Sequence, residues 1–139
     1  MDERDRALRN RIYATFVETG RAPAAKDVGG DEDALRRLHD QHALVLEPGG
    51  SEIRMLNPFS NVPTPYRVAA VGRSWYGNCV WDAFGIPFAL GADGHVETIC
   101  SDCGEPLAVD IVDGRPVPDD LVAHILLPAR RWWDDIVFT

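Results

Sequence analysis

A proline-rich stretch, Asn57-Pro58-Phe59-Ser60-Asn61-Val62-Pro63-Thr64-Pro65, divides the sequence into parts of different periodicity. Proline fixes its own φ, lacks an amide hydrogen and restricts the residue before it, so such a stretch interrupts regular elements. Upstream, apolar residues recur at helical spacing; downstream, they recur in short strand-like runs. A helical part followed by a stranded part predicts an α+β chain, with an N-terminal module over 1–57 and a core over 58–139.

In the first part, Leu8, Ile12 and Phe16 place one apolar stripe on a helix over 4–18. Thr19-Gly20 ends that helix and Pro23 follows it. Residues 24–29 fit a short second helix. Asp31 is a cap for a third, with Glu32 and Asp33 near its positive end and Leu35 and Leu38 on its inner face. Ala43–Leu46 and Glu52–Leu56 flank a Pro48-Gly49-Gly50 turn and read as a hairpin. Three helices and a hairpin make a winged-helix-like module. In the core, strands are expected over 66–71, 95–99, 107–112 and 122–127, with a short helix over 78–85 stopped by Gly85 and Pro87. Helical turns are expected over 129–134. The whole predicts a small mixed β-sheet with short helices.

Charge narrows the function. Residues 1–58 hold nine basic and eleven acidic side chains, and residues 59–139 hold five and eleven. That balance argues against a nucleic-acid partner, which needs a basic footprint, and leaves a winged-helix regulator as the weakest reading. No apolar run is long enough to span a membrane, and the charged N-terminus is unlike a signal peptide, so the expected location is the cytoplasm. Three cysteines there are expected to stay reduced.

Two groups of residues carry chemistry. In Asn78-Cys79-Val80-Trp81-Asp82, a helix capped by Asn78 puts Cys79 in the first turn, where free amides favour a thiolate. Asp82 lies three residues on, on the same face. Burial among Trp75, Tyr76, Trp81 and Phe84, together with the thiolate, is expected to raise the Asp82 pKa and keep it protonated. A buried structural cysteine beside a surface aspartate is the plainer alternative. The second group is Cys100-Ser101-Asp102-Cys103. One such pair is half of a zinc ribbon, and no complementary pair exists, although Cys79 and His95 are the nearest further ligands. Structural zinc, a redox pair and simple turn packing are the readings of this group. Trp132 and Trp133 are expected in the core or a pocket wall, and His124 as an ordinary packed or surface residue.

The run Cys79-Val80-Trp81-Asp82-Ala83-Phe84-Gly85-Ile86-Pro87-Phe88-Ala89-Leu90-Gly91 resembles the centre of the organomercurial lyase (alkylmercury lyase, MerB) family. Cys100 to Leu107 resembles that family's next segment, and the N-terminal module agrees with it. The resemblance implies protonolysis of a carbon–mercury bond, giving a hydrocarbon and mercuric ion, with mercury as substrate and no organic cofactor. It implies Cys79 as nucleophile and mercury ligand, Asp82 as proton donor, and Cys100 as a structural cysteine. External thiols would deliver the substrate and remove the ion. The sequence departs from the family at one place. A second catalytic cysteine is expected after a segment like Arg130–Phe138, and the sequence stops at Thr139. Three explanations are a shortened chain, Cys103 acting as the second thiolate, or a fold reused for another task. In the last case Cys79, Cys100 and Cys103 would bind a thiophilic metal without cleaving carbon.

Overall fold

A computed structural model describes residues 1–138. Helix α1 (Glu3–Thr19) starts where the Asp2 carboxylate accepts the Asp5 amide and stops at Gly20, which takes the left-handed conformation. A 3-10 turn over Ala25–Val28 follows. Helix α2 (Glu32–Asp40) is capped by Asp31, whose carboxylate accepts the Ala34 amide at 2.7 Å. The hairpin of β1 (Val45–Leu46) and β2 (Ile53–Leu56) completes the winged-helix-like arrangement.

The proline-rich stretch is not a bare connector. It contains a short strand, β3 (Phe59–Ser60), which pairs with β2 on one side and with β5 (Arg73–Gly77) on the other. The sheet then continues through β4 (Arg67–Ala70), β6 (Gly94–Ile99), β7 (Pro106–Val112) and β8 (Arg115–Val117). Its order is β1-β2-β3-β5-β4-β6-β7-β8. The α+β class is as expected, but the sheet is antiparallel at every ladder rather than mixed. Short turns join most neighbours, and antiparallel pairing is what short turns allow.

Helix α1 lays its stripe on this sheet. Phe16 stacks on Phe59 with ring centroids 5.6 Å apart, and the Phe16 carbonyl accepts the buried Trp75 indole N–H at 2.7 Å. Leu8, Ile12, Leu35, Leu56, Phe59, Val68, Ile86, Val96 and Val109 all belong to one apolar core. The two compositional parts of the sequence therefore share one interior.

Helix α3 (Val80–Leu90) outruns its expected end. Gly85 and Pro87 lie inside it, and Gly91 closes it in the left-handed conformation. Pro87 is buried and sits against β6, where a Cβ on Gly94 would come within 2.5 Å of its ring. Packing of the ring compensates for the helix hydrogen bond that Pro87 cannot donate. The strand expected over 122–127 is not formed: that segment leaves the sheet after β8 and has no ladder partner among the described residues. A 3-10 helix over Ala129–Asp134 follows it. Among the described residues no helix is long and apolar enough to cross a membrane.

Candidate functional site

The end of β5 and the start of α3 are held together by one close approach. A Cβ on Gly77 would stand 2.7 Å from the Ala83 amide nitrogen, so only glycine lets the strand lie this near the helix. The chain turns at Asn78, and Cys79 itself is the N-cap, its carbonyl accepting the Ala83 amide at 2.9 Å. Asn78 does not cap the helix as expected. Its side-chain amide is instead buried beside Asp82, where it favours the charged carboxylate.

Cys79 and Asp82 meet as their spacing predicts. The Cys79 Sγ is 3.7 Å from Asp82 Oδ2 and donates to it. Asp82 is buried and also accepts from Asn57 Nδ2 at 3.3 Å and 3.4 Å. Burial raises the Asp82 pKa; contacts with Asn78, Asn57 and the Cys79 thiol pull it down but do not cancel that rise. The expected upward push from Cys79 is thus reversed in sign, because the thiol donates to the carboxylate.

The sulfur behaves differently from the expectation of a ready thiolate. Burial raises the Cys79 pKa, and the Asp82 charge and hydrogen bond raise it further, against the lowering influence of the Asp82 and Trp81 backbone amides. The amides at the helix start are in place, yet desolvation wins in the resting protein. A thiol rather than a thiolate faces the carboxylate.

A cavity of about 230 Å³ opens on Cys79, walled by Tyr66, Asn78, Val80, His124 to Leu127, Trp132 and Phe138. The aromatic wall thus differs from the expected one. Trp81 is exposed, and Trp75 is buried against α1. Trp132 takes the pocket-wall place, donating its indole N–H to the Leu127 carbonyl at 2.9 Å, while Trp133 stacks on His42. A second, adjoining cavity of about 130 Å³ shares Tyr66, Val80 and His124 with the first and is walled further by Phe84, Val96, Val109 and Cys100.

Cys100 follows directly after β6, and Cys103 lies in the turn that leads to β7. The Cys100 amide donates to the Glu105 carbonyl at 2.8 Å, and the Gly104 amide to the Cys100 carbonyl at 2.9 Å. Cys100 is half-buried, Cys103 exposed, and all three cysteines are free. Among the described residues no three His, Cys, Asp or Glu side chains gather closely enough to hold a metal ion. The structure thus brings together Cys79 with Asp82, and Cys100 with Cys103, as two separate pairs. Asn57, Tyr66 and Gly77 complete the first pair's surroundings and were not singled out by the sequence. Only the glycine between an aromatic strand end and a helix start hinted at a close approach.

A half-buried thiol donating to a buried carboxyl, at a helix start and over a cavity, defines a class: a site that can attack a soft electrophile with sulfur and return a proton from the neighbouring acid. The alkylmercury lyase family model matches residues 59–139, more than half of the chain, and the chain belongs to that family. Among solved structures it is similar to the mercury-bound form of MerB2, with a TM-score of 0.65 and 22% sequence identity. The match covers 86% of this chain and 62% of the other, so the chain spans under two thirds of that neighbour's length. No curated protein matches it.

Proposed function

We propose that this chain cleaves carbon–mercury bonds by protonolysis, releasing a hydrocarbon and leaving mercuric ion on sulfur. The observation that carries the reading is the Cys79 thiol donating to the buried Asp82 carboxylate, inside the segment matched by the family model. The mercury bound to the structural neighbour is consistent with that choice of substrate.

Mercury is soft and prefers thiolate to oxygen or nitrogen ligands. An organomercurial carried by an external thiol enters as R–Hg–SR′. Cys79 gives its proton to Asp82 as its sulfur bonds to mercury. The Trp81 and Asp82 amides then stabilise the thiolate that burial had disfavoured. Asp82, raised in pKa, passes the same proton to the carbon, which leaves with the carbon–mercury electron pair as R–H. The balance is R–Hg–SR′ plus Cys79–SH giving R–H plus Cys79–S–Hg–SR′. The proton on carbon is the one the thiol lost, and no organic cofactor is needed. The aromatic and aliphatic wall of the cavity suits a small apolar R group. Cys103 acts on mercury after the carbon has left. The cytoplasm, which keeps thiols reduced, is the compartment in which three free cysteines serve this chemistry.

The test is benzene release from a phenylmercury salt under excess thiol. Release that disappears in both Cys79→Ser and Asp82→Ala is expected. Mercury uptake with no hydrocarbon from the unaltered chain would replace the proposal with a thiol trap.

A further inference from the structure

The Cys100–Cys103 turn has no part in breaking the carbon–mercury bond, yet it is a structured pair of thiols. The turn is pinned by the Cys100–Glu105 and Gly104–Cys100 backbone hydrogen bonds, with Gly104 in the left-handed conformation. The Cys103 and Asp102 backbone amides and the Cys103 thiol converge on the Cys100 sulfur. A structural zinc ion needs four ligands, and no third His, Cys, Asp or Glu stands within reach among the described residues. Two thiolates alone suit a soft ion that accepts two-coordinate binding, which mercuric ion does.

Cys79 opens on one cavity and Cys100 on the next, and the two cavities share Tyr66, Val80 and His124 as walls. Exposure then increases along the turn, from half-buried Cys100 to exposed Cys103.

We propose that Cys100 and Cys103 form a two-thiolate acceptor site, which takes mercuric ion from Cys79 by way of the adjoining cavity and presents it to thiols in solution. The exchange conserves atoms and involves no oxidation. Cys79–S–Hg–SR′ plus the two thiols of the turn gives Cys100–S–Hg–S–Cys103, Cys79–SH and R′SH. Each incoming sulfur forms a bond to mercury as an outgoing sulfur leaves, and the two protons move from the turn to the departing sulfurs. The pair's role as a relay rests on the lyase reading, but its mercury binding does not.

The experiment therefore loads mercuric chloride directly, without an organomercurial, onto the reduced full chain freed of small thiols. Cys79→Ser is expected to retain mercury against excess glutathione about 100-fold better than Cys79→Ser/Cys103→Ser, because the second thiolate is intramolecular. Equal retention by the two variants would overturn the acceptor site. In the unaltered chain loaded with an equimolar amount of mercuric chloride, alkylation followed by peptide mass spectrometry is expected to find Cys79 modified and the 100–103 peptide protected. The reverse pattern would overturn the transfer. Failure of benzene release with this protection intact would remove the lyase reading and leave the acceptor site standing.

Discussion

The backbone at Gly77 lies so close to Ala83 that a single added carbon would sit 2.7 Å from the Ala83 nitrogen and 2.9 Å from its Cα. Those two residues bracket Cys79 and Asp82. The strand therefore fixes the helix start, and the helix start fixes the thiol–carboxyl pair.

Gly77→Ala is expected to push β5 and α3 apart. Overpacking of this kind costs about 1–3 kcal/mol. Urea denaturation should show that loss, and benzene release at a temperature where the variant stays folded should fall as well. Full activity in a destabilised variant would mean that the thiol–carboxyl contact does not depend on this approach.

Asp82→Asn is expected to lower the pH midpoint for alkylation of Cys79. The Asp82 charge and hydrogen bond both raise the thiol pKa, so removing them favours the thiolate while burial still opposes it. Asp82 has a raised pKa in the fold, so unaltered chain loses stability as pH rises from the ordinary carboxyl value, about 3.9, through the raised folded value. Asp82→Asn should remove that contribution to the slope. Denaturation curves of the two chains compared at several pH values would show it.

Asn57→Leu is expected to raise the Asp82 pKa further, since Nδ2 donates to both carboxylate oxygens and favours the charged form. Asp82 would then accept the thiol proton only at higher pH. The acidic limb of the pH–rate profile for benzene release should move upward. An unmoved limb would separate Asn57 from proton handling.

Trp75→Phe keeps an aromatic ring in the core but removes the 2.7 Å indole hydrogen bond to the Phe16 carbonyl. That oxygen keeps the Gly20 amide at 2.9 Å, so the loss is one hydrogen bond, about 0.5–1.5 kcal/mol. Urea denaturation should register that cost, while the pH midpoint for Cys79 alkylation should stay where it is.

Features governed by local spacing were legible in the sequence. The Asp31 cap, the Leu8–Ile12–Phe16 stripe and the Cys79–Asp82 pair each depend on residues within one or two helical turns. Features governed by packing across the fold were not. Helix α3 runs past Pro87 because Gly94, on another element, makes room for the ring. The segment 122–127 has a strand's composition but meets no strand partner among the described residues, where the sheet ends at β8. Asn57 reaches Asp82 across twenty-five positions of sequence, and no periodicity announces such a contact. The ready thiolate was expected from the helix start alone; desolvation of the sulfur is a property of the assembled cavity.

Asn57 sits at the end of the β2 hairpin strand, two positions before the segment that the family model matches. A fragment trimmed to that match would carry the thiol and the acid but leave behind the amide that steadies the acid. It would also strip β2 from β3, exposing a bare sheet edge open to pairing with other chains. The smallest transplantable unit that keeps the thiol–carboxyl pair and its amide is therefore larger than the recognisable one: it includes the wing.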